Sequence, residues 1–236
     1  MPLSIAYDDF AALRDRCQTA MVRTVRGQAD FEDGAVIPSG LWEPLTAATA
    51  KHLQPGPDTR DSTLVEIVEP PVPARGLEGF GTELGGDAVY LGQAHAKPAM
   101  VTTTDSHESR QRIGLHLDNF DRLSYAVKHL GRRRLCLNLG PGTRYLLLCP
   151  IDAKALCRTV HPDDYITRYP HTDDLRAYVA KGHPLRCLRM RIDPGEGYIA
   201  PTEYLPHDGS TENQPEPSSA AFWLGQWPPG SLPSRI

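Results

Sequence analysis

The stretch RIGLHLDNF, residues 112–120, decides how the rest of the chain is interpreted. Polar or small residues alternate in it with apolar ones, which is the period-two pattern of a half-buried strand. His116 and Asp118 are two positions apart, so on a strand both side chains project from one face. Leu115 and Leu117 project from the other face, into a core. An imidazole and a carboxylate held side by side supply two of the three ligands of a 2-His-1-carboxylate metal site.

The length and composition of the chain limit the class of protein. A chain of 236 residues is long enough for one large domain or two small ones, and no shift in composition divides it. We therefore predict a single domain over residues 1–236. The 22 prolines and 20 glycines favour a turn-rich β architecture over a helix bundle. The formal net charge of −4 provides no general basic surface, so we expect no nucleic-acid partner.

The cysteines and the apolar segments bear on the cellular compartment. The five cysteines are odd in number and scattered without a CxxC pair, which argues against a disulfide framework and a zinc ribbon. The N-terminus lacks a basic region followed by an apolar run, and no segment approaches the ~18 apolar residues of a membrane span. These patterns predict a cytoplasmic protein without a membrane partner.

The N-terminal part of the chain, residues 1–87, is predicted to hold two helices and a supporting strand. Apolar residues at helical spacing predict a first helix over residues 10–25 and a second over 39–53. Residues 62–69 have the composition of a strand. Residues 74–87 are rich in glycine, and we expect them to be irregular.

From residue 88 onward the pattern changes to short strands separated by turn signals. The predicted strands cover residues 88–92, 99–104, 112–119, 134–139, 144–149, 187–192, 197–200 and 220–227. Pro141 and Gly142 separate two of them, 134–139 and 144–149, which predicts a hairpin.

Three further segments complete the predicted fold. Residues 151–182 read as a helical insert, residues 212–218 as a polar mobile loop, and residues 228–236 as a loosely held tail. Leading helices, a strand series, the insert and a final strand series fit a mainly β fold of the jelly-roll or cupin-like type, the double-stranded β-helix. Its core would span residues 88–227. Such barrels commonly hold a ligand or a metal inside.

The His-x-Asp pattern alone is a weak signal, because the sequence holds three such pairs. The pairs are His116 and Asp118, His161 and Asp163, and His171 and Asp173. The last two lie where helices are predicted to begin, and their aspartates are explained as capping or dipole-compensating acids. Only the first pair lies on an alternating strand. The alternative for it is a His and an Asp on a solvent-facing strand edge.

A third ligand is suggested by residues 193–211. A turn, a short strand and a second bend place His207 at the start of a strand, 91 residues after His116. The strands of one barrel return past each other, so positions this far apart in sequence can converge.

A His-x-Asp pair at the end of one strand, with a distal His in a Pro-His-x-Gly setting, resembles the Fe(II)/2-oxoglutarate-dependent oxygenases. The resemblance covers residues 88–227. It implies that His116, Asp118 and His207 are the iron ligands and catalytic residues, and that the open positions take a bidentate 2-oxo acid and O2. It further implies decarboxylation of 2-oxoglutarate to succinate and hydroxylation of a small soluble substrate, such as an amino acid or a natural-product intermediate.

The expected cation for the far carboxylate of 2-oxoglutarate departs from the family pattern. After His207 there is no Lys or Arg until Arg235. Resemblance to the JmjC-like hydroxylases would place this cation on the strand after His-x-Asp, where Arg134 lies, with Asn138 on the same face. Arg144 on the next strand is the alternative candidate. Both arginines can also be explained as surface residues of the predicted hairpin.

The missing cation keeps two other functions open. The first is a cupin-type metalloenzyme, a dioxygenase or isomerase, that needs no 2-oxo acid. The second is a jelly roll that binds a metabolite without catalysis. For the oxygenase, the helical insert 151–182 and the loop 212–218 are predicted to form a lid over the barrel mouth.

Overall fold

The computed structural model describes residues 3–71, 73, 76–84 and 88–236. Within these residues the protein is mainly β, with twelve strands in two six-stranded sheets and five α-helices. The strands in chain order are β1 (Ser4–Ala6), β2 (Cys17–Thr24), β3 (Phe31–Pro44), β4 (Leu64–Val68), β5 (Val89–Ala96), β6 (Arg112–Gly114), β7 (Arg133–Pro141), β8 (Arg144–Leu148), β9 (Arg186–Ile192), β10 (Gly197–Ala200), β11 (His207–Ser210) and β12 (Ser218–Gly225). The helices are α1 (Phe10–Arg16), α2 (Ala47–Leu53), α3 (Gly76–Glu83), α4 (Ala153–Val160) and α5 (Thr172–Ala180). Short 3-10 turns cover Asp61–Thr63, Lys128–Leu130 and Tyr165–Thr167.

The two sheets face each other across the main core. The first sheet has the strand order β1-β4-β10-β7-β12-β5, and the second has the order β11-β8-β9-β2-β3-β6. Leu146 and Met190 of the second sheet pack in one cluster with Cys136 and Ala220 of the first. Each large apolar side chain buried there contributes about 2 kcal/mol. The arrangement is consistent with a β-sandwich or jelly roll.

The predicted helical insert is confirmed, and it covers the outer face of the second sheet. Helix α4 is capped by Asp152, whose carboxylate accepts a hydrogen bond from the Ala155 amide at 2.7 Å. Leu156 of α4 and Leu175 of α5 pack on Leu147, which projects outward from β8. The insert therefore supports the back of the sheet. Among the described residues, the helices all fall short of the length and apolar content that a membrane crossing requires.

The helix predictions in the N-terminal part were half wrong. Helix α1 ends at Arg16, and the remainder of the predicted first helix is strand β2, paired with β3 and β9. Residues 39–44 of the predicted second helix belong to β3, and only its end forms α2. The segment after Arg16 is rich in β-branched residues, and pairing with strands distant in sequence outweighs its helical spacing.

Strand β4 confirms the predicted supporting strand. Of residues 74–87, which were expected to be irregular, 76–83 form α3, while 74, 75 and 85–87 lie outside the described residues.

The predicted hairpin between residues 134–139 and 144–149 was also wrong. Strand β7 pairs with β10 and β12 in the first sheet, whereas β8 pairs with β9 and β11 in the second. The chain turns a corner between the sheets here. The side-chain amide of Asn138 holds this corner, since it donates to the carbonyls of Gly142 and Ile192 and accepts from the Gly140 amide. Residues 99–104, predicted as a strand, form an irregular segment.

The polar loop and the tail are both tied down, contrary to prediction. Glu212 accepts a hydrogen bond from the Trp42 indole at 2.6 Å, and Gln214 donates to the Tyr145 hydroxyl at 2.7 Å. Residues 212–218 are thus attached to the second sheet and are not placed as a lid. In the tail, Leu232 and Ile236 are buried and residue 234 bridges to β4. The tail is held in place because Leu232 and Ile236 each pack into a cluster of buried apolar side chains.

A buried carboxylate joins three distant parts of the chain. Glu196 accepts two hydrogen bonds from Arg16, at 2.6 and 2.9 Å, and one from Arg235 at 2.8 Å. Burial alone would raise the pKa of Glu196, but the bonds from Arg16, the Asp193 backbone and Arg235 outweigh it and lower the pKa to about 2. The ionised form is therefore stabilised by folding.

We expect stability to fall in acid because of Glu196. A carboxylate with a depressed folded pKa stabilises the protein above its ordinary pKa of 4.5, and this contribution is lost as the pH falls toward about 2. Glu196→Gln should cost about 3 kcal/mol at neutral pH and flatten the acid limb of the stability profile, measured by urea unfolding. Glu43→Gln, in an exposed ion pair with Arg186, is the control and should change little. Equal profiles for the two variants would contradict this role of Glu196.

Candidate metal centre

The structure brings together the three residues named as metal ligands from the sequence. His116 and His207 form a two-residue antiparallel bridge, with each amide donating to the other's carbonyl at 3.0 and 2.9 Å. Asp118 follows on the same segment as His116. One ligand atom from each of the three residues lies within 4.8 Å of the others, and all three side chains are buried. The alternative of a solvent-facing pair does not fit this burial.

Backbone contacts hold the segment that carries His116 and Asp118. Strand β6 ends at Gly114, which has a φ of +71°. A Cβ there would collide with the Val36 carbonyl, so this approach to β3 requires glycine. The Leu115 amide then donates to the Val36 carbonyl at 2.8 Å, and the Asp118 amide donates to the Thr202 carbonyl at 3.0 Å. The regular strand is shorter than predicted, but the segment from Leu115 to Asp118 is hydrogen-bonded at both of its ends.

A backbone hydrogen bond orients the His116 ring toward Asp118. Nδ1 of His116 donates to the Gly114 carbonyl at 2.9 Å, which leaves Nε2 with a lone pair, 3.8 Å from Oδ1 of Asp118. Nε2 of His207 lies 3.6 Å from Oδ2 of Asp118. That buried oxygen accepts no hydrogen bond of good geometry. Two imidazoles and one carboxylate form a donor set that fits a divalent cation.

The protonation states also suit a cation. Burial lowers the pKa of His207 well below its ordinary value, against the opposing effect of Asp118, so the imidazole is neutral. Burial by itself would raise the pKa of Asp118, but the positive charge of Arg134 outweighs it and lowers the pKa to about 2. A neutral His207 and an ionised Asp118 are the forms that bind a metal.

Asp208 is a member of the site that the sequence did not single out. Its Oδ2 lies 3.9 Å from Nδ1 of His116, and its Oδ1 accepts hydrogen bonds from Thr104 and the Gly209 amide at 2.7 and 2.6 Å. Burial raises the pKa of Asp208 to about 6. The sequence offered one signal for Asp208. It follows His207 on a strand, so its side chain points to the opposite face of that strand from His207.

A polar cavity of about 470 Å³ opens beside the triad. It is lined by β5 residues 91–96, by Thr103, Thr104, Asp105 and His107, and by Phe120, Arg134, Arg144, Tyr198, His207, Gly209 and Phe222. The mouth is therefore formed by an edge strand and residues 103–107. The predicted lid segments lie elsewhere, on the second sheet. Phe222 was detectable as an inward position on β12, whereas residues 103–107 carried no signal.

Arg144 lies in this cavity as a buried cation. Its side chain projects inward from β8, its Cζ lies 5.9 Å from the ring centre of Phe222, and among the described residues no carboxylate pairs with it. Gly209 makes room for it, because a Cβ there would lie 2.5 Å from Nη2 of Arg144 and 2.5 Å from Oγ1 of Thr103. The guanidinium is thus free to bind an anion.

The other two predicted cosubstrate residues differ from Arg144 in their partners: Arg134 also lines the cavity but is paired with an acid, and Asn138 is bonded to backbone groups. Nη2 of Arg134 lies 2.6 Å from Oδ2 of Asp118, and Nη1 lies 3.5 Å from Nε2 of His207. Arg134 is therefore a neighbour of the metal ligands and does not lie at a distance from them, as an anchor for a far carboxylate would. The Asn138 amide, saturated by backbone groups, has a structural role at the corner between the sheets.

Fold and site together define a mainly β protein with a candidate 2-His-1-carboxylate metal centre next to a cationic cavity. No protein-family model matches this chain, and no curated protein matches it. Its function is therefore argued from the site.

Proposed function

We propose that this protein is an Fe(II)/2-oxoglutarate-dependent oxygenase built on a double-stranded β-helix. The observation that carries the proposal is the position of Arg144. A buried arginine without a carboxylate partner among the described residues lies in the cavity that is also lined by His207, one member of the convergent His116–Asp118–His207 triad. A metal face and a separate carboxylate receptor are the two elements that binding of a 2-oxo diacid requires.

The strand order supports the finer fold. Counted from β5 to β12, the first sheet contains the first, eighth, third and sixth strands as neighbours, in the order β5-β12-β7-β10. The second contains the seventh, fourth and fifth as β11-β8-β9, and the segment after β6 meets β11 through the His116–His207 bridge. Alternation of this kind between two sheets is the double Greek-key order of a jelly roll.

The metal and the cosubstrate would supply the oxidising chemistry, and the chain's own residues position and shield it. His116, Asp118 and His207 would hold Fe(II), which together with a 2-oxo acid activates O2 for hydroxylation of a C–H bond. Arg144 would bind the far carboxylate through its planar fork. The rings of Phe120 and Phe222 flank the guanidinium of Arg134 beside the site.

The size of the cavity supports a small substrate. About 470 Å³ is within the range of small-molecule sites, and part of it would be taken by the cosubstrate. Gln93, His95 and His107 line the cavity and offer hydrogen-bonding groups to a polar molecule. We propose a small soluble substrate such as an amino acid or a natural-product intermediate. A cytoplasmic location remains a prediction.

The contact between Arg134 and Asp118 favours a second candidate. A cation this close to the metal ligands could hold the carboxylate of the substrate itself against the metal. The protein would then be a cupin-type metalloenzyme, a dioxygenase or isomerase, that needs no 2-oxoglutarate.

Succinate formation tests the proposal. Protein reconstituted with Fe(II) under anaerobic conditions, then given 2-oxoglutarate and O2, should form succinate slowly even without the primary substrate. Samples that lack Fe(II) or 2-oxoglutarate are the controls. Tight Fe(II) binding without succinate would favour the second candidate. A protein that binds no metal would be a metabolite-binding jelly roll.

A further inference from the structure

Arg134 is held in this structure by a carboxylate that a metal would also use. Its Nη2 lies 2.6 Å from Oδ2 of Asp118, and among the described residues Asp118 is the only acid that forms an ion pair with it. Its Nη1 lies 3.5 Å from Nε2 of His207, a second metal-facing atom. The guanidinium and a bound metal would therefore compete for the same lone pairs.

The surroundings of Arg134 make the loss of this partner costly. Its side chain is 14 % exposed, and its Cζ lies 5.6 Å from the ring centre of Phe120 and 5.4 Å from that of Phe222. Its buried Nε has no hydrogen-bond partner. A guanidinium in such a place needs an anion, because aromatic faces replace only part of its hydration. Asp208, the next nearest acid, faces His116 and is bonded to Thr104.

We propose that Arg134 acts as a charge switch that couples metal binding to carboxylate binding. Without metal, Arg134 neutralises Asp118. When a divalent cation takes Asp118, the guanidinium is released toward the cavity and binds a carboxylate there, bidentately through its planar fork. The metal frees Arg134 for the carboxylate, and the carboxylate replaces the anion that Arg134 loses to the metal. Each ligand therefore strengthens the binding of the other. The proposal rests on the metal site of the proposed function but requires no oxygen chemistry.

Either of two molecules could supply the carboxylate. The first is the 2-oxo acid, through the carboxylate next to its keto group. The second is the primary substrate, if the 2-oxo acid leaves Arg134 free. The recognition chemistry is the same in both cases, so the coupling is tested first with a simple monocarboxylate.

Mn(II) binding, measured by calorimetry under argon, tests the switch. For the wild-type protein, saturating acetate should lower the Kd of Mn(II) at least about fivefold relative to chloride at the same ionic strength. Arg134→Met should bind Mn(II) alone more tightly than the wild type, since a competing cation is gone, and acetate should change its Kd less than about twofold. Arg186→Met, which removes an exposed arginine paired with Glu43, is the control and should keep the wild-type coupling.

The outcomes separate the switch from the proposed function. Absence of coupling in the wild type, or coupling that persists in Arg134→Met, would overturn the switch while leaving the oxygenase proposal intact. Coupling in a protein that forms no succinate would support the switch and refute the oxygenase. Absence of Mn(II) and Fe(II) binding would overturn both.

A further measurement identifies the source of the carboxylate. Acetate is titrated into the Mn(II) complex with and without 2-oxoglutarate. If 2-oxoglutarate abolishes the acetate effect, the cosubstrate occupies Arg134. If the effect remains, Arg134 receives the primary substrate. Both results support the switch and assign its ligand.

Discussion

His116→Ala should abolish the metal site and with it any turnover of 2-oxoglutarate. His116 is one of the three candidate ligands, and its ring is oriented by the Gly114 carbonyl. Loss of a hydrogen bond around a metal ligand already weakens metal binding by about 10–100-fold, so loss of the ligand itself should raise the Kd for Fe(II) or Mn(II) more than about 100-fold. Calorimetry under argon and succinate analysis measure the two effects.

The other His-x-Asp pairs provide a matched control. His171 belongs to such a pair but caps helix α5, where its Nδ1 accepts a hydrogen bond from the Asp173 amide. His171→Ala should cost about 1 kcal/mol of stability and leave the metal Kd unchanged. If both variants bind metal like the wild type, the His116–Asp118–His207 cluster is not a metal site. Circular dichroism establishes that each variant is folded.

Arg144→Met should separate cosubstrate binding from stability. A bidentate pair with a carboxylate comprises two charge-assisted hydrogen bonds, each worth about 1.5–3 kcal/mol. Their loss should raise the Kd of 2-oxoglutarate for the Mn(II)-loaded protein about 100-fold. Arg144→Lys keeps the charge without the fork and should give an intermediate Kd.

The same variant should be more stable than the wild type without ligands. Arg144 is buried and has no carboxylate partner among the described residues, and Met of similar volume removes this uncompensated charge. We expect a gain of about 1–3 kcal/mol in urea unfolding. A loss of stability combined with an unchanged Kd for 2-oxoglutarate would instead assign Arg144 a structural role.

The three candidate ligands could be predicted from the sequence because their signals are local. Alternation around His116 and Asp118 points both side chains to one face, and a bend places His207 at the start of a strand. Such signals need no knowledge of what packs against them.

The helical insert was predicted from capping and turn signals, and α5 begins at Thr172 as expected. The helix start predicted at residues 161–164 was wrong, because α4 ends at Val160 and His161 is its C-cap.

The roles of the two arginines could not be predicted in this way. Arg134 and Arg144 lie on strands that are consecutive in the sequence, and the predicted hairpin put both strands in one sheet. In the structure β7 and β8 belong to opposite sheets. Arg134 forms an ion pair with Asp118, whereas the side chain of Arg144 packs against Gly209 and lies in the cavity. The N-terminal strands were missed for a related reason, because β2 is defined by its pairing with β9, about 170 residues away.

The sequence by itself determined the turn-rich β character of this protein, its helical insert and its three candidate ligands, through periodicity and capping. Tertiary structure alone decided that Arg134 pairs with Asp118 of the candidate metal centre, that Arg144 is buried without a carboxylate partner among the described residues, and that the expected lid segments contact the second sheet. The physical reason is that charge pairing and strand pairing join residues far apart in the chain. His116 again illustrates this: alternation predicts its direction, but its bridge to His207 brings the ligands together.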